Sequence, residues 1–135
     1  MTTRLKFDNP DTVGAPLGLY SHSVETPAGA GLVFVSGQVG VRPDGSLGAT
    51  LAEQADQVFA NIVAILAAKG IAPTGIIKLT TYIVDDDPED AVRTARRKYL
   101  GAHRPASTAV WVSRLVDPAW KVEVEAIALA VAEGE

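Results

Sequence analysis

Few side chains of this sequence could carry out chemistry, and their types already exclude several kinds of site. The chain has no cysteine, which excludes thiol nucleophiles, disulfides and thiolate zinc sites. Its two histidines are His22 and His103, and no carboxylate lies at a metal-ligand spacing from either of them. The sequence also has no Gly-rich phosphate loop and no nucleophile elbow. We therefore expect no metal site.

Glu123 is the carboxylate with the clearest potential role. It lies near the C-terminus among alternating apolar residues, in a segment typical of a strand. A carboxylate on a strand that faces a cleft can carry protons. The alternative is a surface glutamate paired with Lys121 or Lys78. His22 similarly allows two interpretations, a proton-transfer group or a histidine at a strand edge.

The charge balance argues against a nucleic-acid partner. Twelve Lys and Arg residues against sixteen Asp and Glu residues give a net charge of −4, whereas proteins that wrap nucleic acid are usually basic. A basic run, Arg93, Arg96, Arg97 and Lys98, could support an RNA-binding interpretation, but a solvated helix face balanced by the acidic residues before it is favoured. The longest apolar stretches have only strand length. We expect a cytoplasmic protein with no nucleic-acid or membrane partner.

The elements that must position these side chains begin with a clear helix. Thr50 and Glu53 have the spacing of a capping box, in which each side chain satisfies a backbone N–H group of the first turn. Apolar residues then recur every three or four positions up to Leu66. Gly70 and Pro73 end the pattern. In a second helix, Asp87 is the predicted cap, Pro88 the first residue and Leu100 the end.

The remaining apolar segments predict strands. The predicted ranges are 20–26, 32–39, 76–84, 108–115 and 120–131, with a loop and an edge piece in residues 1–17. We therefore predict one α+β domain over residues 1–135, with about six strands in a mixed sheet and two helices on one face. Several strands are apolar on both alternating faces, so the face without helices would expose a large apolar patch. Self-association is the simplest way to cover it.

Four motifs in this order resemble the RidA/YjgF family, also called the endoribonuclease L-PSP family. The resemblance covers residues 18–129 and rests on Ser36-Gly37-Gln38, on Glu53-Gln54 with Gln57-Val58 and Asn61-Ile62, on Lys78-Leu79-Thr80-Thr81-Tyr82, and on Glu123-Val124-Glu125-Ala126-Ile127-Ala128. It implies a chorismate-mutase-like subunit and a homotrimeric barrel with small-molecule clefts between subunits. Active family members hydrolyse enamines and imines, such as 2-aminoacrylate, without a metal or organic cofactor.

The resemblance also implies roles for single residues. Glu123 matches the glutamate that holds the water, and Tyr20 matches a pocket tyrosine, which makes these two the predicted catalytic residues. Tyr20 could instead be an aromatic anchor near the sheet edge. Ser36 matches a pocket serine, although a serine at a strand end can also serve backbone geometry. We expect Gly37 to permit a close approach of the backbone rather than to take part in chemistry.

One position departs from the family pattern. Hydrolysing members carry an arginine that grips the substrate carboxylate where this chain has Ser107. Such a contact contributes about 1.5–3 kcal/mol. The asparagine of the family's second helix aligns with Arg93, while Arg104 and Arg114 are other candidate replacements. By the two-residue repeat of a strand, Ser107, Ala109 and Trp111 share one face. These residues and Arg93 form the predicted substrate site. A pocket lined by the three strand residues would be neutral, which predicts a preference for a less charged or larger ligand than 2-aminoacrylate.

Two functions follow from these residues. The first is a cofactor-free hydrolase that resembles a deaminase and acts on an imine, an enamine or a related metabolite, with an altered substrate preference. The second is a non-catalytic ligand-binding or regulatory trimer. Ribonuclease activity is a third possibility, which the acidic charge disfavours.

Overall fold

The computed structural model describes residues 4–131. Its elements in chain order are β1 (Lys6–Asp8), β2 (Ser23–Glu25), β3 (Leu32–Gln38), α1 (Leu51–Ala67), β4 (Ile76–Ile83), α2 (Ala91–Leu100), β5 (Ala106–Trp111) and β6 (Val122–Leu129). A short 3₁₀ turn, Pro73–Gly75, leads into β4. Within the described residues the numbers of strands and helices agree with the prediction, as does the α+β class.

The six strands do not form one sheet, which corrects the predicted arrangement. β3, β6, β4 and β5 form a four-stranded mixed sheet in this order, and β1 pairs with β2 in a separate ribbon. Only β4 and β5 run parallel. The strands of the ribbon have three residues each, nearly all of them exposed. Without an apolar face to bury, the ribbon gains little by joining the main sheet.

Both helices cover one face of the four-stranded sheet. The buried core combines side chains of α1, such as Phe59 and Ile62, with Val92 of α2 and with Leu79 and Val124 of the sheet. Each of these side chains is almost completely removed from water, which stabilises the fold by roughly 1.5–3 kcal/mol per side chain. One side of the sheet is thereby fixed as the interior.

Gln54 is a buried polar residue that fastens two loops to α1. Its side-chain amide donates to the carbonyl oxygens of Gly48 (2.9 Å) and Ala119 (3.1 Å). Its carbonyl oxygen accepts from the Lys121 N–H at 2.8 Å. The side chain is 1% exposed, so the backbone groups that it satisfies have little access to replacement water.

The predicted helix caps are confirmed for α1 and partly wrong for α2. Thr50 Oγ1 accepts from the Glu53 N–H at 3.1 Å, although the Glu53 carboxylate reaches back to the Ala49 N–H rather than to Thr50. α2 begins at Ala91, three residues after the predicted start at Pro88, because Asp90 has a left-handed conformation that interrupts the helix (φ 55°). Asp87 still accepts from the first N–H groups of α2, at 2.7 and 3.0 Å.

The last two strands are shorter than predicted. β5 starts at Ala106 and ends at Trp111, whereas the sequence predicted 108–115. It begins directly after Pro105 and pairs with β4 from its first residue, and at its other end the Trp111 indole N–H donates to the Asp85 carbonyl. β6 covers Val122–Leu129 of the predicted 120–131.

No helix of the described part of the chain covers the other face of the sheet. Leu32, Phe34 and Val110 lie on this open face and are 44%, 71% and 39% exposed. The sequence predicted such an uncovered apolar face, and the structure has it. Among residues 4–131, no helix combines the length and apolar character that crossing a membrane requires.

Candidate functional site

A cleft between α2 and β5 collects most of the predicted substrate-binding residues. It has a volume of about 200 Å³, and its walls include Thr81, Ala109, Trp111, Val92, Arg93 and Arg96. Parallel pairing with β4 places Ser107 opposite Leu79 and Ala109 opposite Thr81, so both point to the face that carries the helices. The predicted common face of Ser107, Ala109 and Trp111 is confirmed. We call this space the α2–β5 cleft.

Arg96 is the residue of this cleft that sequence reasoning missed. Its Nη1 donates to Ser107 Oγ at 3.1 Å, and its Nη2 donates to the Leu19 carbonyl oxygen. Burial, reinforced by the nearby charge of Arg93, lowers the pKa of Arg96. The prediction of a solvated surface role is therefore wrong for Arg96. Its position four residues after Val92, on the apolar side of the helix, was the available signal.

The α2–β5 cleft also differs from the neutral pocket predicted from β5. Arg93, Arg96, Asp87 and Asp90 contribute to its walls. These residues belong to α2 and to the loop before it, and the strand pattern of β5 contains no information about them. The cleft is therefore charged, with Trp111 as its aromatic wall.

The segment that carries Tyr20 lies beside the N-terminal end of β5. The Ser21 N–H donates to the Pro105 carbonyl (3.1 Å), and Ser21 Oγ donates to the Arg104 carbonyl (2.6 Å). The Tyr20 hydroxyl accepts from the Leu17 N–H at 3.1 Å, and its ring packs edge-on against His22. Arg96 contacts the residue that precedes Tyr20. Tyr20 therefore follows a residue that contacts Arg96 of the α2–β5 cleft. Its own hydroxyl, however, is bonded to the nearby Leu17.

Glu123 lies on the open face of the sheet. It is paired with Tyr82 of β4, whose neighbours Thr81 and Ile83 point towards the helices. Its carboxylate rests against Gly37, where an added Cβ would lie 2.0 Å from Glu123 Oε2. The expectation that Gly37 permits a close approach is borne out by this contact. Ser36 precedes Gly37 in an irregularity of β3 between Val35 and Gln38.

The lysines proposed as alternative partners of Glu123 have other contacts. Lys78 Nζ donates to Thr108 Oγ1 at 2.8 Å. Lys121 Nζ lies 3.7 Å from Asp85 Oδ2. The ion pairs of the described residues therefore do not include Glu123, and the interpretation of this residue as half of a surface ion pair finds no support.

Arg104 and Arg114 do not enter the α2–β5 cleft. Arg104 donates to the Gly18 carbonyl at 3.2 Å and, with Arg93 and Arg97, borders a separate shallow depression of about 320 Å³. Arg114 donates to backbone carbonyls of its own loop. Of the arginines considered as replacements, only Arg93 lines the cleft.

The other basic residues of α2 behave as a solvated face. Arg93 lies 3.8 Å from Asp90, as the predicted charge balance requires. Lys98 instead pairs with Asp56 of α1 at 2.7 Å, a partner outside the predicted acidic run, and this contact lowers the pKa of Asp56.

The predicted site residues thus form two groups on opposite faces of one sheet. In the β5 group, Ala109, Trp111 and Arg93 line the α2–β5 cleft, and Ser107 points to the same face of the sheet. The β6 group, Glu123 with Ser36, belongs to the open face. The sheet separates the two groups within one chain.

Comparisons with known proteins agree with this fold. The family model for endoribonuclease L-PSP matches residues 12–130. The 2-iminobutanoate/2-iminopropanoate deaminase of Dermatophagoides farinae is 28% identical over 114 residues, which cover 83% of this chain and 86% of the relative.

Solved structures are similar as well. The crystal structure of YyfB, a Rid family protein from Yersinia pestis, is similar with a TM-score of 0.82 and a sequence identity of 30%. The matched region covers 94% of this chain and 99% of the YyfB chain. The structure of E. coli TdcF with bound serine has a TM-score of 0.68 and a sequence identity of 30%, and the match covers 93% of this chain and 99% of the TdcF chain. With the family model spanning nearly the whole chain, the conclusion is that this protein belongs to the endoribonuclease L-PSP family, the RidA/YjgF family.

Proposed function

We propose that this protein is a cytoplasmic homotrimer that hydrolyses small imines or enamines in clefts between its subunits. The observation that carries the proposal is the separation of the β5 group from the β6 group by the sheet. A complete site needs both groups, so they must come from two protomers. The exposed apolar residues of the open face, including Phe34, provide a surface for such assembly.

The reaction needs no group beyond the protein and water. An enamine takes up a proton at carbon to give the imine, water adds to the C=N carbon, and the carbinolamine loses ammonia to leave a carbonyl compound. Glu123 would hold the water and transfer its protons. Tyr20, Ser36 and Ser107 would supply polar contacts to the substrate.

The relatives support this reaction class. A mite relative is named as a deaminase of 2-iminobutanoate and 2-iminopropanoate, and a structural neighbour binds serine. Both names concern amino acids or imines derived from them, which are small and carry a carboxylate. We infer the same substrate class for this protein, with a preference altered at Ser107.

The second candidate function is a ligand-binding trimer without catalysis. It is favoured by Ser107, an uncharged residue at the position that corresponds to the family's arginine. In this case the cleft would bind a metabolite without changing it, and Glu123 would be dispensable for binding.

An assay of ammonia release from freshly generated 2-aminoacrylate and 2-iminobutanoate tests the proposal. Glu123→Gln should reduce turnover by about 10²–10⁴-fold, the usual contribution of a proton-transferring group. Glu125→Gln, two residues along the same face of β6, is the matched control and should retain activity. No turnover by the wild type would leave the ligand-binding function, whereas equal turnover by the wild type and Glu123→Gln would refute the role of Glu123 in the reaction.

The assembly has its own measurement. Light scattering at micromolar protein concentration should give the mass of a trimer. A monomer would remove the basis for a shared site, because the β5 and β6 groups would then stay on opposite faces of one sheet.

A further inference from the structure

Arg96 carries a positive charge in a partly buried position, and residues 4–131 provide no negative partner for it. Its described acceptors, the Ser107 hydroxyl and the Leu19 carbonyl, are both neutral. Its Nε–H is buried and has no hydrogen-bond partner among the described residues. A cation shielded from water is unfavourable unless an anion compensates it. The guanidinium therefore has unused capacity for an anionic ligand.

The carboxylates of the α2–β5 cleft are engaged elsewhere. Asp90 lies 3.8 Å from the Arg93 guanidinium. Asp87 accepts the backbone N–H groups of Ala91 and Val92 at the start of α2. Among the ion pairs of residues 4–131, none involves Arg96.

We propose that Arg96 is the anion-binding residue of the α2–β5 cleft and binds the carboxylate of the ligand. The proposal rests on the proposed function, since it takes this cleft as part of the ligand site. A guanidinium has five N–H donors in a planar fork. The two described hydrogen bonds use one N–H of Nη1 and one of Nη2, so each of these nitrogens keeps one N–H for a carboxylate oxygen.

Ser107 has a defined role in this arrangement. Its hydroxyl accepts from Nη1 and holds the guanidinium at the β5 side of the cleft. The arginine charge that relatives are expected to present from the strand would here come from the neighbouring helix. Serine is small enough to leave room for it, whereas a second arginine would compete for the same space.

The dimensions of the cleft suit a small anion. A volume of about 200 Å³ accommodates a molecule of a few non-hydrogen atoms, with Trp111 and Ala109 against its apolar part. Burial and, to a smaller extent, repulsion from Arg93 lower the pKa of Arg96, and a bound anion would offset both effects. A short 2-oxo acid is the class of ligand that meets both conditions.

Equilibrium binding of 2-oxobutanoate and of uncharged 2-butanone, measured by NMR titration of the assembled protein, tests the proposal. The wild type should prefer 2-oxobutanoate. Arg96→Gln retains hydrogen-bond donors but removes the charge, and should weaken 2-oxobutanoate binding about ten- to a hundredfold while leaving 2-butanone binding unchanged. Arg96→Lys should be intermediate, since it keeps the charge without the fork.

Arg97→Gln is the matched control, because it removes the adjacent exposed charge of the same helix and lies outside the α2–β5 cleft. It should bind 2-oxobutanoate within about twofold of the wild type. Three results would overturn the proposal: a wild type with no preference for the anion, an Arg96→Gln variant with unchanged preference, or equal losses for both ligands, which would indicate a structural role.

The outcome is separable from that of the proposed function. A protein without deaminase turnover that still shows Arg96-dependent selectivity for the carboxylate would refute the hydrolase and support this inference. Conversely, turnover that depends on Glu123 but not on Arg96 would refute the inference alone.

Discussion

The contact between Arg96 and Ser107 predicts that an arginine introduced at position 107 destabilises the protein. Ser107 Oγ lies 3.1 Å from Arg96 Nη1, so the side chain of Ser107→Arg would enter space next to an existing guanidinium. Two like charges about 4 Å apart repel by about 4 kcal/mol at an effective dielectric constant of about 20. Because the introduced guanidinium can turn towards solvent, we expect a net loss of about 1–2 kcal/mol in the free energy of unfolding.

The double variant Arg96→Ser, Ser107→Arg provides the decisive comparison. It moves the single guanidinium from the helix to the strand and restores one charge and one hydroxyl to the contact. We expect it to recover most of the stability that Ser107→Arg loses, with a coupling energy of about 1–2 kcal/mol in the double-mutant cycle. Its affinity for 2-oxobutanoate should likewise exceed that of Arg96→Ser.

Urea unfolding followed by tryptophan fluorescence gives the four free energies of the cycle. All variants must be compared at one protein concentration, because subunit association contributes to the apparent stability. Ser107→Gln, which adds length without charge, controls for steric effects. Additive effects of the two substitutions, or an equal loss in Ser107→Gln, would show that charge repulsion at this contact is not the cause.

Three further predictions concern other parts of the fold. Gln54→Ala should lower the free energy of unfolding by about 2–5 kcal/mol in urea titrations, since three buried hydrogen bonds are lost; a loss below about 1 kcal/mol would contradict the role of this residue in fastening the loops. Gly37→Ala places a methyl group 2.0 Å from Glu123 Oε2 and should reduce turnover about a hundredfold with little change in Tm; full activity would mean that this contact does not position the carboxylate. Burial lowers the pKa of His103 below its usual value of 6.5, so on acidification the unfolded state binds the proton at a higher pH than the folded state does. The free energy of unfolding should therefore fall as the pH drops below about 6.5 towards the lowered native pKa. Unfolding measured against pH should show a smaller fall for His103→Gln than for the wild type or His22→Gln, and an identical slope in all three would refute this assignment.

Local patterns were sufficient where an element depends on its own neighbours in sequence. The helix α1 was predictable because its cap and its apolar stripe lie within one segment, and Thr50 caps it as expected. The common face of Ser107, Ala109 and Trp111 followed from the two-residue repeat of any strand. The uncovered apolar face also followed from composition, because two helices are too few to cover both sides of the sheet.

Long-range pairing decided the rest. The strand order and register, which local patterns do not specify, place Ser107 and Glu123 on opposite faces. The left-handed Asp90 delayed the start of α2, a backbone choice that the capping pattern at Asp87 could not reveal. Arg96 belongs to a basic run whose pattern predicts an exposed helix face, and only the packing of α2 against β5 brings its guanidinium into contact with Ser107. The sequence by itself therefore determined which elements form and which residues share a strand face. The tertiary structure decided which faces meet, because contacts between distant segments set the burial and the electrostatics of the site.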